Sequence, residues 1–377
     1  MQTKHFGLCA ALSAAALLLL AGCAGSGSTA APTLTVESSY PLQYAKQFTV
    51  DECTGGYELI TIADSQYLVV PQGAAVPEDL PQGTTVLQQP IENIYLVSTS
   101  AMDPIISLGA LDSIALSGTK ADGWYLPEAK AAMQAGQIAY AGKYSAPDYE
   151  TILASGCGLA IENTMIYHTP EVKEQLEKFG IPVLVERSSY ETDPLARMEW
   201  VKLYGILLGK KQEAEQLFDT QVQCVAPLEN QQPTGKTVAF FSITSNNLVT
   251  VRKGSDYVAR MIEMAGGSYV FDDLTDSGNN LATINLSLED FYAGAKDADV
   301  LLYNSTIEGS IASTEQLVEK CPLLAQFKAV QNGNVWCTAQ SLFQQSMELP
   351  DLILDMNRVF TEGTPADSEL TFLTHVE

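Results

Sequence analysis

Short apolar segments that predict strands alternate with amphipathic segments that predict helices over residues 94–185. The predicted strands there are 94–97, 114–116, 137–140, 158–161 and 183–185, and the helices between them are 129–135, 148–154 and 170–179. The same alternation returns after residue 235, with strands at 237–242, 300–303 and 334–337 and helices at 255–265, 288–293 and 314–327. Strands that alternate with helices of this length form mostly parallel sheets covered on both faces. We therefore predict an α/β fold with two Rossmann-like lobes of similar size.

A different pattern separates the two lobes. Asp193 is a favourable helix cap, and Pro194 occupies the first helical position, where proline is preferred. Apolar residues then recur every three or four positions, and after Gly209 the stripe continues as far as Val222. If it is continuous, this helix has about 30 residues and a length of about 45 Å. Such a length predicts a single long helix that joins the lobes.

The two lobes carry a matching segment. In each, a polar or proline residue is followed by a glutamate, Glu150 or Glu289, and then by two apolar residues and an alanine. A predicted strand lies eleven residues beyond each glutamate, at Ile161 and Val300. A second helix and a second strand follow in both cases, which favours lobes related by a pseudo-two-fold axis.

The N-terminus has the pattern of an export signal. Lys4 and His5 precede an apolar run over residues 6–20, too short for a membrane span, and Leu-Ala-Gly-Cys ends at Cys23. This motif resembles the bacterial lipobox, in which the cysteine is acylated; the alternative is an ordinary signal peptide that contains a cysteine. The predicted organisation is a signal peptide (1–22), a lipidated flexible tether (23–33), a first lobe (34–192), the connecting helix (193–229) and a second lobe (230–377). A predicted hairpin at residues 57–70 opens the first lobe.

Charge and composition exclude several function classes. The formal net charge of -25 argues against nucleic acid and anionic membrane surfaces and favours partners that present arginine and lysine. Beyond the predicted signal only two histidines remain, and five cysteines remain after Cys23, with no metal-ligand spacing. Free thiols are the main interpretation of these cysteines, with a Cys321–Cys337 bridge as the alternative. We find no nucleophile motif and no suggestive carboxylate pair, so we expect neither an enzyme nor a metal site nor a cofactor.

Polar and aromatic residues cluster where predicted strands end. Because ligands bind outside the carboxyl ends of parallel strands, two facing lobes are expected to line one cleft. Arg252 and Lys253 are the most informative pair, since clustered cations in so acidic a chain suit an anionic ligand. The candidate ligand-binding residues are Ser98, Thr99, Trp124, Tyr125, Lys143, Tyr144, Asn163, Asn246, Arg252, Lys253, Tyr257, Tyr303, Gln340 and Phe343.

Lipobox, two α/β lobes and one long connecting helix together resemble the substrate-binding lipoproteins of bacterial ABC importers. The similarity is to the class with a rigid inter-lobe helix that serves iron–siderophores, heme and vitamin B12. The segment from Ile181 to Glu186, followed by residues 191–200, resembles the entry of that helix, and residues 208–215 resemble its continuation. Residues 146–150 and 286–289 resemble the segments that carry the permease-docking glutamates of this family, here Glu150 and Glu289.

The resemblance implies a monomeric protein at the outer face of the cytoplasmic membrane, held there only by its lipid anchor. It would capture a small-molecule metal complex, an iron–siderophore or a similar compound, and deliver it to an ABC permease dimer with its ATPase. Cobalamin or another corrinoid is the alternative ligand. A third hypothesis is a lipid-anchored enzyme or sensor built on this fold, because fold does not determine function.

Overall fold

The computed structural model describes residues 33–275 and 282–377. Cys23 and the proposed signal peptide lie outside this part of the chain, as does nearly all of the proposed tether. In the part that is described, no helix has both the length and the apolar character needed to cross a membrane.

A five-stranded sheet precedes the parallel sheet of the first lobe. Its strands, in spatial order, are β1 (Val36–Ser39), β2 (Phe48–Cys53), β3 (Tyr57–Ile62), β4 (Ser65–Val70) and β5 (Thr85–Gln88). The predicted hairpin corresponds to β3 and β4, which pair in antiparallel fashion from Ile62 and Ser65 outward. The other three strands were not predicted from the sequence. We call this unit the N-terminal sheet.

The first lobe is built on a five-stranded parallel sheet. Its strand order is β12-β11-β6-β7-β8, and every neighbouring pair is parallel. All the strands and helices predicted for this lobe are present, and their ends agree within two residues. The elements of the first lobe are β6 (Ile94–Leu96), α1 (Met102–Ser107), β7 (Ile114–Ser117), α2 (Pro127–Gln134), β8 (Ala139–Tyr140), β9 (Gly142–Lys143), β10 (Ala146–Pro147), α3 (Tyr149–Ala154), β11 (Ala160–Glu162), α4 (Pro170–Lys178) and β12 (Val183–Val185).

The connection between the lobes consists of two helices, α5 (Pro194–Leu207) and α6 (Lys211–Val225). The expectation of one continuous helix of about 30 residues is therefore wrong. Gly209 has a φ of +68°, a left-handed conformation that ends a helix, and α6 then folds back against α5. The two helices approach so closely that a Cβ atom on Gly205 would lie 2.4 Å from Cβ of Ala214.

Helix α5 makes the connection itself. The Asp193 side chain caps it by accepting a hydrogen bond from the Leu195 N–H at 2.8 Å. All fourteen residues of α5 are buried, and the helix packs against α1 of the first lobe and α7 of the second. A helix buried all round belongs to the core, which explains why its sequence is more apolar than that of a surface helix.

The second lobe contains a mixed seven-stranded sheet. Strands β16-β14-β13-β17-β18-β19 follow one another, and β15 also pairs with β13. Its centre, β13, β17 and β18, is parallel as predicted, whereas β14 pairs with β13, β16 with β14 and β19 with β18 in antiparallel fashion. The elements of the second lobe are β13 (Thr237–Ile243), β14 (Val249–Arg252), α7 (Tyr257–Met264), β15 (Ser268–Tyr269), β16 (Thr283–Leu286), α8 (Leu288–Ala295), β17 (Val300–Tyr303), α9 (Ser305–Glu308), α10 (Thr314–Lys320), α11 (Lys328–Gln331), β18 (Val335–Thr338), α12 (Leu349–Glu362) and β19 (Leu373–His375).

Two buried carboxylates fasten the N-terminal sheet to the connection. Glu199 of α5 accepts hydrogen bonds from the backbone N–H groups of Gln43, Tyr44 and Ala45 at 2.8–3.1 Å. Glu191 accepts those of the next two residues, 46 and 47, at 2.9–3.1 Å. We call Glu191 and Glu199 the carboxylate clamp. It satisfies five consecutive backbone donors in a loop that has no strand or helix partner of its own.

Apolar packing accompanies the clamp. Phe48 of β2 contacts Trp200 of α5 edge-on, with ring centroids 4.9 Å apart. Lys202 is buried beside Glu199 and donates to it at 2.7 Å, and its ammonium group lies 4.4 Å from the ring centroid of Phe218. The N-terminal sheet therefore covers a face of α5 that would otherwise be exposed.

Candidate ligand cavity between the two lobes

A cavity of about 280 Å³ lies between the carboxyl ends of the first lobe's strands and the second lobe. Because the strands of the first lobe are parallel, the residues that follow β6, β11 and β12 meet at one edge of the sheet. These residues line one side of the cavity: Ser98, Thr99, Ser100, Asn163, Glu186 and Ser189. Helix α5 and the second lobe line the other side with Arg197, Arg252, Asp256, Tyr257, Ala282 and Phe343.

Arg252, the last residue of β14, separates this cavity from a second one of about 210 Å³ within the second lobe. Arg252 and Phe343 line both cavities. The guanidinium carbon lies 4.8 Å from the Phe343 ring centroid, and Nη1 lies 3.6 Å from Oδ2 of Asp256. The guanidinium is thus held by an aromatic face and by a carboxylate at the outer limit of an ion pair.

Arg197 places a second guanidinium beside the same cavity. Its Cζ lies 4.1 Å from the ring centroid of Tyr257, and Nη1 donates to the Ser188 carbonyl at 3.1 Å. Burial raises the pKa of Asp256, and the two arginines act in the opposite direction. Two cations, each resting on an aromatic ring, therefore face the space between the lobes.

Glu186 forms the floor on the first-lobe side. Its Oε2 accepts hydrogen bonds from the hydroxyls of Ser98 at 2.9 Å and Ser100 at 3.0 Å, and Oε1 accepts from the Ser188 N–H at 2.7 Å. Glu186 is 2% exposed, so its carboxyl oxygens contact these donors and not solvent. It orients both serine hydroxyls at the edge of the cavity. Over residues 33–275 and 282–377, no group of three or more His, Cys, Asp and Glu side chains is arranged to hold a metal ion.

A buried carboxyl group lies beside this wall. Glu162 ends β11, immediately before the cavity residue Asn163, and is 0% exposed. Neither carboxyl oxygen has a hydrogen-bond partner among the described residues. Burial raises the pKa of Glu162 to about 8, so the group is mostly protonated at neutral pH.

Six of the fourteen residues that were predicted from the sequence to contact the ligand line this cavity. They come from both lobes and are Ser98, Thr99, Asn163, Arg252, Tyr257 and Phe343. Three residues that complete the charge pattern, Glu186, Arg197 and Asp256, were not anticipated. Arg197 could have been identified from the sequence, because a charged side chain in the first turns of an apolar, buried helix needs a polar environment.

The other nominated residues lie elsewhere. Trp124 and Tyr303 are in the core: the Trp124 ring N–H donates to the Ser117 hydroxyl at 3.2 Å, and Tyr303 packs edge-on against Phe241. Tyr144 is half-buried against the first-lobe core and Lys253 is buried. The remaining residues do not line the cavity and are exposed or half-buried, namely Tyr125, Lys143, Asn246 and Gln340.

The two candidate docking glutamates occupy equivalent positions. Glu150 and Glu289 are the second residues of α3 and α8, and both are exposed. Each helix is capped by a side chain: Asp148 accepts a hydrogen bond from the Thr151 N–H at 3.1 Å, and Ser287 accepts one from the Asp290 N–H at 3.0 Å. After each helix comes a central parallel strand, β11 or β17, as the internal repeat predicted.

Residues 96–341 match the family model described as periplasmic binding protein. The match covers more than half of the 377 residues. The chain belongs to this family.

An uncharacterized lipoprotein of Methanocaldococcus jannaschii is 27% identical to this periplasmic binding protein over 241 residues, which cover 62% of the chain and 55% of that relative. A further protein of the same organism is 26% identical over 44% of the chain and 49% of its own length. The chain thus spans about half the length of the curated relatives it matches.

Solved structures share the fold. A periplasmic binding protein from Veillonella parvula has a TM-score of 0.60 at 16% identity and covers 88% of this chain and 99% of its own. The periplasmic heme binding protein of Vibrio cholerae has a TM-score of 0.57 at 18% identity, covering 73% and 99%. A protein of an Fe3+-hydroxamate transport system from Saccharomonospora viridis has a TM-score of 0.55 at 22% identity, covering 72% and 94%. A periplasmic vitamin B12 binding protein of Vibrio cholerae is also similar. At these identities the likeness shows the fold alone.

Proposed function

We propose that this periplasmic binding protein is the extracytoplasmic substrate-binding component of an ABC importer and that its cargo is an anionic metal complex of the iron–siderophore type. The observation that carries the proposal is the pair of guanidiniums, Arg197 and Arg252, that face one cavity between two lobes. Each rests on an aromatic ring, Tyr257 or Phe343. The two carboxyl groups at the cavity, Glu186 and Asp256, are both engaged by hydrogen-bond donors, which favours binding over acid–base chemistry.

The chemistry of the cavity suits a negatively charged chelate. Guanidinium groups donate charge-assisted hydrogen bonds to carboxylate, hydroxamate or catecholate oxygens, and among residues 33–275 and 282–377 Arg252 has one carboxylate partner, Asp256, at 3.6 Å. Phe343 and Tyr257 offer apolar faces to the organic part of such a ligand. The related solved proteins that bear the names of heme, Fe3+-hydroxamate and vitamin B12 all handle metal complexes, which supports this class of cargo.

A binding titration tests the proposal. The purified full chain is titrated, with intrinsic fluorescence as readout, against a ferric hydroxamate, a ferric catecholate, hemin and cyanocobalamin. We expect one of the ferric complexes or hemin to bind with micromolar affinity or better. Arg252→Gln is expected to weaken that binding about 10- to 100-fold, because a hydrogen bond to a charged group contributes about 1.5–3 kcal/mol.

Arg358→Gln is the matched control. Arg358 is an exposed arginine on α12 that donates to the Glu369 carbonyl at 3.1 Å and lines neither cavity. Its substitution is expected to leave the affinity unchanged. Binding of cyanocobalamin that tolerates Arg252→Gln would instead favour the corrinoid alternative, and no binding of any of the four probes would refute the assignment.

We further propose that Cys23 is acylated and holds the protein at the outer face of the membrane. The motif at residues 20–23 and the flexible composition of the residues after it support this, as does the lipoprotein name of the archaeal relative. Docking to the permease dimer is assigned to Glu150 and Glu289. They are exposed, occupy equivalent helix positions in the two lobes and are not among the residues that line the cavity, so a permease surface is expected to meet both at once.

A further inference from the structure

The lobes are joined at a second place, far in sequence from α5. Residues 344–348 of the second lobe, between β18 and α12, cross to the first lobe; we call them the latch. The Gln344 side chain makes two hydrogen bonds there. Its Oε1 accepts from the Tyr125 N–H at 2.8 Å, and its Nε2 donates to the Gly123 carbonyl at 2.8 Å. One side chain thus pairs with the backbone of the opposite lobe as a neighbouring strand would.

The rest of the latch continues this contact. The Ser346 hydroxyl donates to the Ser100 carbonyl at 3.1 Å, and the Met347 N–H donates to Oδ2 of Asp103 at 2.7 Å. Ser346 and Met347 are buried, as is Asp103. Phe343, which immediately precedes the latch, carries the ring beneath Arg252. Fastening the latch therefore sets the position of one wall of the cavity.

Two carboxyl groups from opposite lobes meet at the end of the latch. Asp103 of α1 is 3% exposed and lies next to the partly buried carboxyl group of Glu348, whose Oε2 is buried with no hydrogen-bond donor among the described residues. A carboxyl–carboxyl hydrogen bond requires a proton on one partner. Asp103 already accepts the Met347 N–H, so it is stabilised as the anion, and the proton belongs on Glu348.

The surroundings of this pair supply no cation. The charged groups that act on it are both acidic, Glu128 of α2 on Asp103 and Asp351 of α12 on Glu348. Helix α5, which packs on α1, carries Arg197 and Lys202, but they are engaged by the Ser188 carbonyl and by Glu199. Among the described residues neither Asp103 nor Glu348 forms an ion pair. Two ionised carboxylates at this place would repel each other at low dielectric.

We propose that the latch is a positioning device for the cavity wall and that it stays fastened only while Asp103 and Glu348 share a proton. The inference concerns the contact between lobes and does not depend on the identity of the ligand. When Glu348 ionises, its repulsion from Asp103 opens the latch and releases the Met347 N–H. The ring of Phe343 then loses its fixed position under Arg252.

The direction of the pH dependence follows from the same contacts. Burial and the facing Asp103 raise the pKa of Glu348 in the fastened state, whereas a solvated Glu348 has an ordinary pKa. The fastened state therefore binds one proton more than the open state over the interval between these two pKa values. Opening becomes more favourable as the pH rises through that interval, by at most tenfold per pH unit for one proton.

Amide hydrogen exchange on the purified full chain measures this opening. The reporter is the Met347 amide, whose acceptor belongs to the other lobe. An internal control is the Phe372 amide, which donates to Asp355 at 2.6 Å within the second lobe. After correction for the intrinsic chemical rate, Met347 exchange is expected to rise between about pH 5 and pH 8 by up to tenfold per unit and then to level off, while that of Phe372 does not follow it.

Glu348→Gln is the decisive variant, because it keeps the shape of a protonated carboxyl group and cannot ionise. Its corrected Met347 exchange is expected to be independent of pH. Glu128→Gln is the matched control, since this exposed neighbour acts on Asp103 only from a distance, and it should behave as the wild type. If Glu348→Gln does not fold, Asp103→Asn serves instead: it retains an acceptor for Met347, removes one charge of the pair and should make the pH dependence clearly weaker, leaving only the part that burial of Glu348 produces. A flat wild-type profile, or an unchanged slope in the variant, overturns the proposal.

Discussion

The pair Glu150 and Glu289 offers the sharpest functional test. Changing both to alanine removes two exposed carboxylates from position two of α3 and α8. A carboxylate at a helix N-terminus contributes about 0.3–1 kcal/mol, so the double variant should lose about 0.6–2 kcal/mol of stability in all. Neither residue lines the cavity, so ligand affinity should be unchanged.

Uptake is expected to respond far more strongly. Close charge pairs across a protein interface are coupled by at least about 1.5 kcal/mol each, so losing two should weaken the complex with the permease about 100-fold or more. Replacement of both glutamates by arginine should be worse than alanine, because two attractive contacts become repulsive. Complementary arginine-to-glutamate changes in the permease should partly restore transport by the Glu→Arg protein.

The chain supplies a matched control for the helix effect. Glu171 and Glu315 are exposed second residues of α4 and α10, so Glu171→Ala/Glu315→Ala removes the same charge from the same helix position in the two lobes. Uptake of labelled ligand in cells is compared between the two double variants, with ligand affinity measured separately by fluorescence titration. Full transport by the Glu150/Glu289 variant would refute the docking role. An equal loss of uptake in both double variants would show that the permease is attracted by the acidic surface in general and not by Glu150 and Glu289 in particular.

Three further predictions concern stability and anchoring. Glu199→Ala leaves Lys202 buried without its carboxylate partner and should lower the free energy of unfolding, measured with urea, by about 3–5 kcal/mol. The control Glu213→Ala, at an exposed position of α6, should lower it by less than about 0.5 kcal/mol. Equal losses in the two variants would show that the clamp is not needed. Because the pKa of Glu162 rises to about 8 on folding, the free energy of unfolding should fall between about pH 4.5 and pH 8, by at most about 5 kcal/mol, and level off above. Glu162→Gln should make that fall clearly shallower, the remainder coming from Glu348, whose pKa is also raised on folding; an unchanged fall would assign the whole slope to other groups. Cys23→Ser should move the protein from the detergent-rich to the aqueous phase of a detergent extraction or leave it unprocessed; a wild-type protein found in the aqueous phase would contradict acylation.

The buried parallel strands were the most predictable part of the fold. Strands covered on both faces are continuous apolar runs, and β6, β11, β12 and β17 stand out in the sequence for that reason. Strands β1 and β5 are short and largely polar, and β14 and β16 alternate at the edge of their sheet, so neither kind produces an apolar run. These strands are stabilised by pairing with neighbouring strands, and a local sequence pattern contains no information on that pairing.

The break between α5 and α6 shows a different limit. The apolar stripe passes through Gly209 without interruption because both helices face the same core, so periodicity alone favours one helix. The break is determined by the left-handed conformation of Gly209 and by the close contact between Gly205 and Ala214, and both depend on the tertiary structure.

The cavity was predictable to a similar degree. Strand ends located Ser98, Asn163 and Arg252, whereas Trp124 was nominated by its residue type and proved to be a core side chain.

The carboxylate clamp has a consequence for how the molecule folds. Glu199 binds backbone groups that lie up to 156 positions earlier in the chain. The loop at 43–47 therefore finds no acceptors for its five N–H groups until most of the first lobe has been made and α5 has formed. Contacts between such distant residues are slow to form, because the intervening chain must first be ordered. The N-terminal sheet, although first in sequence, should thus be among the last units to gain protection during refolding, and should melt together with α5 rather than as an independent domain.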